Sequence, residues 1–251
     1  MKQFAISIAM LFGVQASFAN LILQSPIQSN GTGLGTEPTV LTIQGTGNAT
    51  SETGCVGLDS SGAVTTGVFF DVNGRCTTGT NDTKTGAGQI GPQTLSAGGV
   101  TSASNFAIVF NADQTASGPI TLTGLQATFY SPTGQKLYTT TGFSCAGLAS
   151  SPTCTFPTTA SGIGKSGYVF VLDSTQAAAA TLAGAFNNPN NIVGVSGSAS
   201  GISGGAETFY LGNTTGTAPG PSPTPEPGTW FSMVMGLGLV GLATLRRRSR
   251  Q

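Results

Sequence analysis

The chain has 251 residues, among them 38 Gly, 9 Lys or Arg, 9 Asp or Glu and no His. So few charges with so much Gly, Thr and Ser argue against a helical bundle and favour short strands joined by turns. The formal charge of zero hides an asymmetry: residues 20–218 hold four basic residues (Arg75, Lys84, Lys136, Lys165) against eight acidic ones, a net of −4. A nucleic-acid binder needs basic residues on its folded part to displace phosphate counterions, and that class is excluded.

The N-terminus reads as a secretory signal peptide over residues 1–19. Lys2 supplies the positive start, and Phe4–Val14 is an apolar run too short to span a bilayer. Ser17-Phe18-Ala19 then places small residues at −3 and −1, predicting cleavage between Ala19 and Asn20. The partners this predicts are the Sec translocon and signal peptidase.

The body, residues 20–212, is predicted to be an all-β, antiparallel β-sandwich of about eight strands with one short inserted helix. Thr39–Ile43 is short and β-branched, and Val64–Val72 ends in Val68-Phe69-Phe70. Asn105–Phe110 is apolar on both faces, which suggests a central strand packed on two sides. In Ile120–Tyr130 the apolar parity slips by one at Gly124, the mark of a bulge or a strand break. Ser131-Pro132-Thr133-Gly134 has the Pro and Gly of a type I turn, so Lys136–Thr140 should return antiparallel as a hairpin. Gly167–Leu172, Ile192–Ser198 and Glu207–Leu211 complete the set.

Between the first two of those last three strands the pattern changes. Asp173 or Ser174 can cap a helix rich in Ala, with Leu182 and Phe186 expected on its buried side at i, i+4 and Asn187-Asn188-Pro189 ending it.

Four cysteines in an exported chain suggest two disulfides, and nearest-neighbour pairing gives Cys55–Cys76 and Cys145–Cys154 among three connectivities. Zinc is a poor alternative: there is no C-x-x-C spacing and no His to complete a site.

Several motifs resemble catalytic signatures and fail on chemistry. Gly201-Ile202-Ser203-Gly204-Gly205 matches G-x-S-x-G, but a nucleophilic serine needs a base, and the usual one, His, is missing. Gly236–Gly241 matches G-x-G-x-x-G with only ten residues left, too few for a dinucleotide-binding βαβ unit. Lys84-Thr85-Gly86 has no S-x-x-K to supply a nucleophile. A glycosidase could use paired carboxylates, but the candidates are Glu37, Glu52, Asp59, Asp71, Asp82, Asp113, Asp173 and Glu207, with no pairing legible in their spacing. Asp71-Val72-Asn73-Gly74 offers two oxygen side chains at i, i+2, too few for Ca²⁺, and reads as a turn. No cofactor or metal is predicted.

Asn213–Thr224 is a linker by composition, its prolines favouring an extended spacer. Residues 225–251 then open with Pro225-Glu226-Pro227, continue as an apolar run from Trp230 to Leu245, and stop at Arg246, Arg247, Arg248 and Arg250. As a helix, residues 230–245 reach about 24 Å against a hydrocarbon core of about 30 Å, a short transmembrane span that snorkelling arginines and local thinning can accommodate. The Arg cluster should hold that end in the cytoplasm and leave the body outside the inner membrane.

The order Pro-Glu-Pro, short apolar helix, terminal Arg cluster resembles the PEP-CTERM protein-sorting signal of Gram-negative bacteria, over about residues 224–250. The resemblance implies that Pro225, Glu226 and Pro227 are recognised by an exosortase, a membrane-embedded cysteine transpeptidase-like enzyme that cuts near the motif. The chain would be its substrate, in a bacterium that makes exopolysaccharide. The segment Tyr168–Phe186 is similar to one in bodies carried by some PEP-CTERM proteins, which implies no activity.

Three readings of the body follow. The first is a non-enzymatic cell-surface or matrix component with a structural or adhesive role. The second is a carbohydrate-binding module for the cell's own exopolysaccharide, which should present an exposed aromatic platform drawn from Tyr130, Tyr138, Tyr168 and Tyr210. The third is a secreted glycoside hydrolase, which should bring two carboxylates together in a cleft.

Overall fold

The structure, a computed structural model, describes residues 21–24, 38–47, 49–84, 91–112, 118–145, 153–156, 167–203 and 205–214. The signal peptide with Ala19 and Asn20, and the sorting signal with Pro225–Pro227 and Arg246–Arg250, lie outside the described residues. The chain divides between Ala218 and Pro219, and every described residue falls on the N-terminal side.

The described residues form thirteen strands and one helix. The strands are β1 (Leu21–Leu23), β2 (Thr39–Ile43), β3 (Ser51–Leu58), β4 (Val64–Gly67), β5 (Gln93–Thr94), β6 (Phe106–Asn111) and β7 (Ile120–Tyr130). They continue as β8 (Lys136–Thr139), β9 (Phe143–Ser144), β10 (Cys154–Phe156) and β11 (Gly167–Leu172). After the helix α1 (Ser174–Leu182) come β12 (Ile192–Ser200) and β13 (Glu207–Asn213). Each of the eight segments expected to form strands contains one, and the five additional strands are β1, β3, β5, β9 and β10. Four of those five have only two or three residues, too few to show an alternating pattern.

The strands form two sheets. One runs β2-β13-β6-β11-β1-β9; the other runs β10-β7-β12-β3-β4, with β5 added to β12 and β8 to β7. Every pairing is antiparallel except one: β1 lies parallel to β9, with Leu21 opposite Phe143 and Ile22 opposite Ser144. The purely antiparallel expectation is corrected at that point. On its other side β1 runs antiparallel to β11, with Leu21 opposite Leu172.

One hydrophobic cluster takes side chains from both sheets. Phe106 of β6 meets Phe129 of β7 at 4.9 Å between ring centroids, and Phe110 of β6 meets Phe156 of β10 at 5.9 Å. Each such ring contributes about 1.5–3 kcal/mol by leaving water. The two sheets therefore pack face to face over a shared core. As its pattern predicted, β6 is buried along its whole length, between β13 and β11.

The parity slip in β7 is a real irregularity. Ser198 of β12 pairs with Gly124, but Ala199 pairs with Leu122, so Thr123 is skipped. The bulge restores Leu125, Ala127 and Phe129 to the core face.

Two expectations fail. The strand foreseen over Val64–Val72 stops at Gly67. Beyond it, Phe70 bridges back to Cys76 and the Cys55–Cys76 disulfide folds the segment onto β3, leaving Phe69 55% and Val72 88% exposed. In α1, Leu182 does not face the core but is 92% exposed. The helix buries Gln176 and Ala180 instead. Phe186 packs from beyond its C-terminus, 5.2 Å from the Phe129 ring. Asp173 is the N-cap, its side chain accepting from the Gln176 N–H at 2.7 Å.

Candidate functional site

Three turns built alike meet at one end of the second sheet. They are Asp59–Ala63 between β3 and β4, Asp71–Arg75 beyond β4, and Ser131–Gln135 between β7 and β8. In each, the first residue's N–H donates to the fifth residue's carbonyl, at 2.9, 2.8 and 2.8 Å. The fourth residue is Gly62, Gly74 or Gly134, with φ of 82, 72 and 84°, a left-handed conformation that side chains resist. The first residue's side-chain oxygen accepts from the backbone N–H of the third and fifth. For Asp59 Oδ1 these bonds are 2.8 Å from Ser61 and 3.0 Å from Ala63. For Asp71 Oδ1 they are 2.8 Å from Asn73 and 2.9 Å from Arg75. For Ser131 Oγ they are 3.3 Å from Thr133 and 3.2 Å from Gln135. The shared pattern, Asp or Ser followed three residues later by Gly, was legible in the sequence for the second and third turns and missed for the first.

Their carboxylates are held by these bonds. Asp59 is kept below the ordinary carboxylate range first by the Ser61 hydroxyl and then by backbone N–H donors. Asp71 is kept low first by the Arg75 N–H, against a smaller opposing effect of burial. Asp71 therefore serves its own turn, and among the described residues no group of three or more His, Cys, Asp or Glu could hold a metal ion.

The turns are locked to one another. A Cβ on Gly134 would lie 2.5 Å from Gly62 Cα, so the first and third turns touch backbone to backbone. Tyr130, 1% exposed, donates its hydroxyl to the Gly74 carbonyl, and Lys136 Nζ donates to the Val72 carbonyl at 2.8 Å. The Cys55–Cys76 bridge ties the second turn to β3. Burial pushes the Tyr130 hydroxyl well above its ordinary pKa, so it stays a donor.

Between the turns lies a cleft of about 450 Å³, whose walls include Ser60, Asn73, Arg75, Gln135 and Lys136. Among the described residues no carboxylate lines it. The Arg75 guanidinium makes no hydrogen bond to any described residue. Two of the body's four basic side chains thus face one rigid cleft amid hydroxyl and amide groups. Such a site can bind acceptor-rich ligands through these donors. A smaller depression of about 300 Å³ lies on the second sheet, bordered by Thr53, Phe69, Gln126, Ser196 and Ser198.

Other sequence candidates fall elsewhere. The four tyrosines form no exposed platform: Tyr130, Tyr168 and Tyr210 are buried, and Tyr138 is half-buried. Glu52 and Glu207 are both buried, at the starts of β3 and β13, and neither lines the two clefts described. Ser203 sits in the loop from β12 to β13, with no helix after it, so the strand-turn-helix of a nucleophile elbow is absent. Thr85 and Gly86 lie outside the described residues. The structure pairs Cys55 with Cys76 and Cys145 with Cys154. Among the described residues no helix is long and apolar enough to cross a membrane.

A family model described as the PEP-CTERM protein-sorting motif matches residues 223–248. No curated protein and no solved structure matches the chain.

Proposed function

We propose, from a chain whose tail carries the PEP-CTERM sorting motif, that this is an exported surface or matrix protein with a structural or adhesive role. In this reading the Sec translocon and signal peptidase act first, at Ala19–Asn20. The helix 230–245 then holds the precursor in the inner membrane with Arg246–Arg250 cytoplasmic, until exosortase cuts near Pro225–Pro227. The body is a disulfide-bridged β-sandwich without catalytic activity, delivered to the cell surface. The observation that carries the sorting is the motif match at 223–248. The shared core of the two sheets and the bridges Cys55–Cys76 and Cys145–Cys154 support a body suited to an oxidising exterior.

Intact mass of the mature surface protein tests the reading. It should show loss of residues 1–19 and truncation between Pro225 and Trp230. A full-length tail at steady state, in a strain with a working exosortase, overturns it.

The second reading, contact with the cell's own exopolysaccharide, is supported by the polar cationic cleft at Arg75 and Lys136 and not by an aromatic platform. The hydrolase reading has no comparable support: among the described residues no carboxylate lines either cleft.

A further inference from the structure

We propose that the cleft between the three turns binds the carboxylate groups of an acidic polysaccharide, with Arg75 and Lys136 as its anion contacts. The inference rests on the polymer-contact reading above and gives it a site and a ligand chemistry.

The placement of charge is the first argument. The body carries a net of −4 between residues 20 and 218, which repels a polyanion on average. Yet two of its four basic residues, from different hairpins, line the same cleft, and among the described residues no acidic one does. The guanidinium of Arg75 presents a planar fork of donors, matched to a carboxylate and hydrogen-bonded to no described residue. Lys136 uses one donor on the Val72 carbonyl, which fixes the ammonium at the lip and leaves others available.

The surroundings select a sugar polymer over a bare anion. Ser60, Asn73, Thr133 and Gln135 offer hydroxyl and amide groups that can both donate to and accept from sugar hydroxyls. No exposed tyrosine supplies a stacking surface, so a neutral glycan would find hydrogen bonds alone in an open, solvated site. Asp59 and Asp71 lie close enough to Arg75 to feel its charge. They soften the field, so one carboxylate binds weakly and a repeating polymer gains by multivalency. The turns are fixed by their own hydrogen bonds and by Tyr130, so little ordering is needed on binding.

The test uses the mature protein recovered from the producing cell, with immobilised polygalacturonate, neutral dextran and polyglutamate as probes. Polygalacturonate should retain the protein at about 50 mM salt and release it, roughly tenfold weaker, near 500 mM, as exposed charges are screened. Arg75→Gln alone should weaken retention, and R75Q/K136Q should weaken it by roughly tenfold more. Arg75 makes no side-chain hydrogen bond to a described residue, so the single variant keeps the fold, checked by an unchanged melting midpoint. Lys84→Gln, a basic residue outside the cleft, should bind as the parent does. Equal retention on dextran or polyglutamate overturns the acidic-sugar assignment. Unchanged binding in the Arg75 variants, or an equal loss in the Lys84 variant, overturns the site. None of these outcomes alters the intact mass that tests sorting, so the two readings fail separately.

Discussion

Tyr130 donates its hydroxyl to the backbone carbonyl of Gly74, 56 residues earlier in the chain. The ring reaches it across β3 and β12 only because both strands lack a side chain beneath it. A Cβ on Gly57 would lie 2.5 Å from the Tyr130 oxygen, and one on Gly194 would lie 3.2 Å from its ring. One buried phenol thus joins the end of β7 to the turn that carries Arg75, and fixes the cleft's wall from the core side.

Replacing Tyr130 by Phe should cost about 1–2 kcal/mol, since the Gly74 carbonyl loses its partner while the ring's packing remains. Urea denaturation reads this as a lower midpoint at unchanged slope. The same variant has an alkaline signature. Burial raises the folded-state pKa of Tyr130 above the ordinary tyrosine value of 10.0. The neutral hydroxyl's contribution is therefore fully present below pH 10 and is lost as pH rises beyond it. The parent should weaken steadily above that point, and the Phe variant should weaken less. Tyr138 and Tyr168, also raised by burial, supply the remaining slope.

The two disulfides should differ in worth. Cys55–Cys76 closes a sequence separation of 21 and Cys145–Cys154 one of 9. Chain entropy alone predicts about 3.3 against about 2.6 kcal/mol. The first bridge also anchors the Asp71–Arg75 turn. C55A/C76A should therefore lower the denaturation midpoint more than C145A/C154A and also weaken polygalacturonate retention, while C145A/C154A leaves retention intact.

Where the sequence was legible, a local signal and a tertiary need coincided. Ser131-Pro132-Thr133-Gly134 marked the β7–β8 hairpin because the turn chemistry is contained in four residues. Gly124 marked the bulge because the core face must resume on the correct parity. By contrast β3, a central strand, begins Ser51-Glu52-Thr53-Gly54 and shows no apolar alternation. Its Gly54 is required by a close approach from the other sheet, where a Cβ would lie 2.5 Å from Ile43 Cγ2. The cleft was illegible for a related reason. Arg75 and Lys136 meet only through the lateral order β7-β12-β3-β4, which no local pattern encodes. The helix α1 shows a third limit, since i, i+4 spacing places Leu182 and Phe186 on one face only if the helix continues, and it ends at Leu182.

That helix gives a direct contrast. Leu182→Lys should leave stability within about 0.5 kcal/mol of the parent, because the side chain is 92% exposed. Phe186→Ala should cost about 2–4 kcal/mol, because its ring packs on Phe106 at 6.1 Å and on Phe129 at 5.2 Å. Asp173→Ala removes the cap and should cost about 1 kcal/mol. Thermal melts of the three variants check the order, and a large loss in the Leu182 variant would contradict the observed packing of α1.

The contact between Gly62 and Gly134 separates backbone strain from packing. Gly134 has φ 84° and Gly47 has φ 68°, so alanine at either position is forced into a left-handed conformation, costing about 1 kcal/mol. Around Gly47 nothing lies within 4 Å of a new Cβ. At Gly134 it would meet Gly62 Cα at 2.5 Å and Gly62 N at 2.7 Å, both main-chain atoms that cannot rotate away. G134A must therefore separate the two turns as well as strain its own, and should lose about 1–3 kcal/mol more than G47A. The separation also widens the cleft between Ser60 and Gln135, so G134A should retain polygalacturonate less well than G47A at matched temperature below both melts. Equal stability of the two variants would mean that the turns part without cost, and the cleft's rigidity would then have to come from Tyr130 and the Cys55–Cys76 bridge alone.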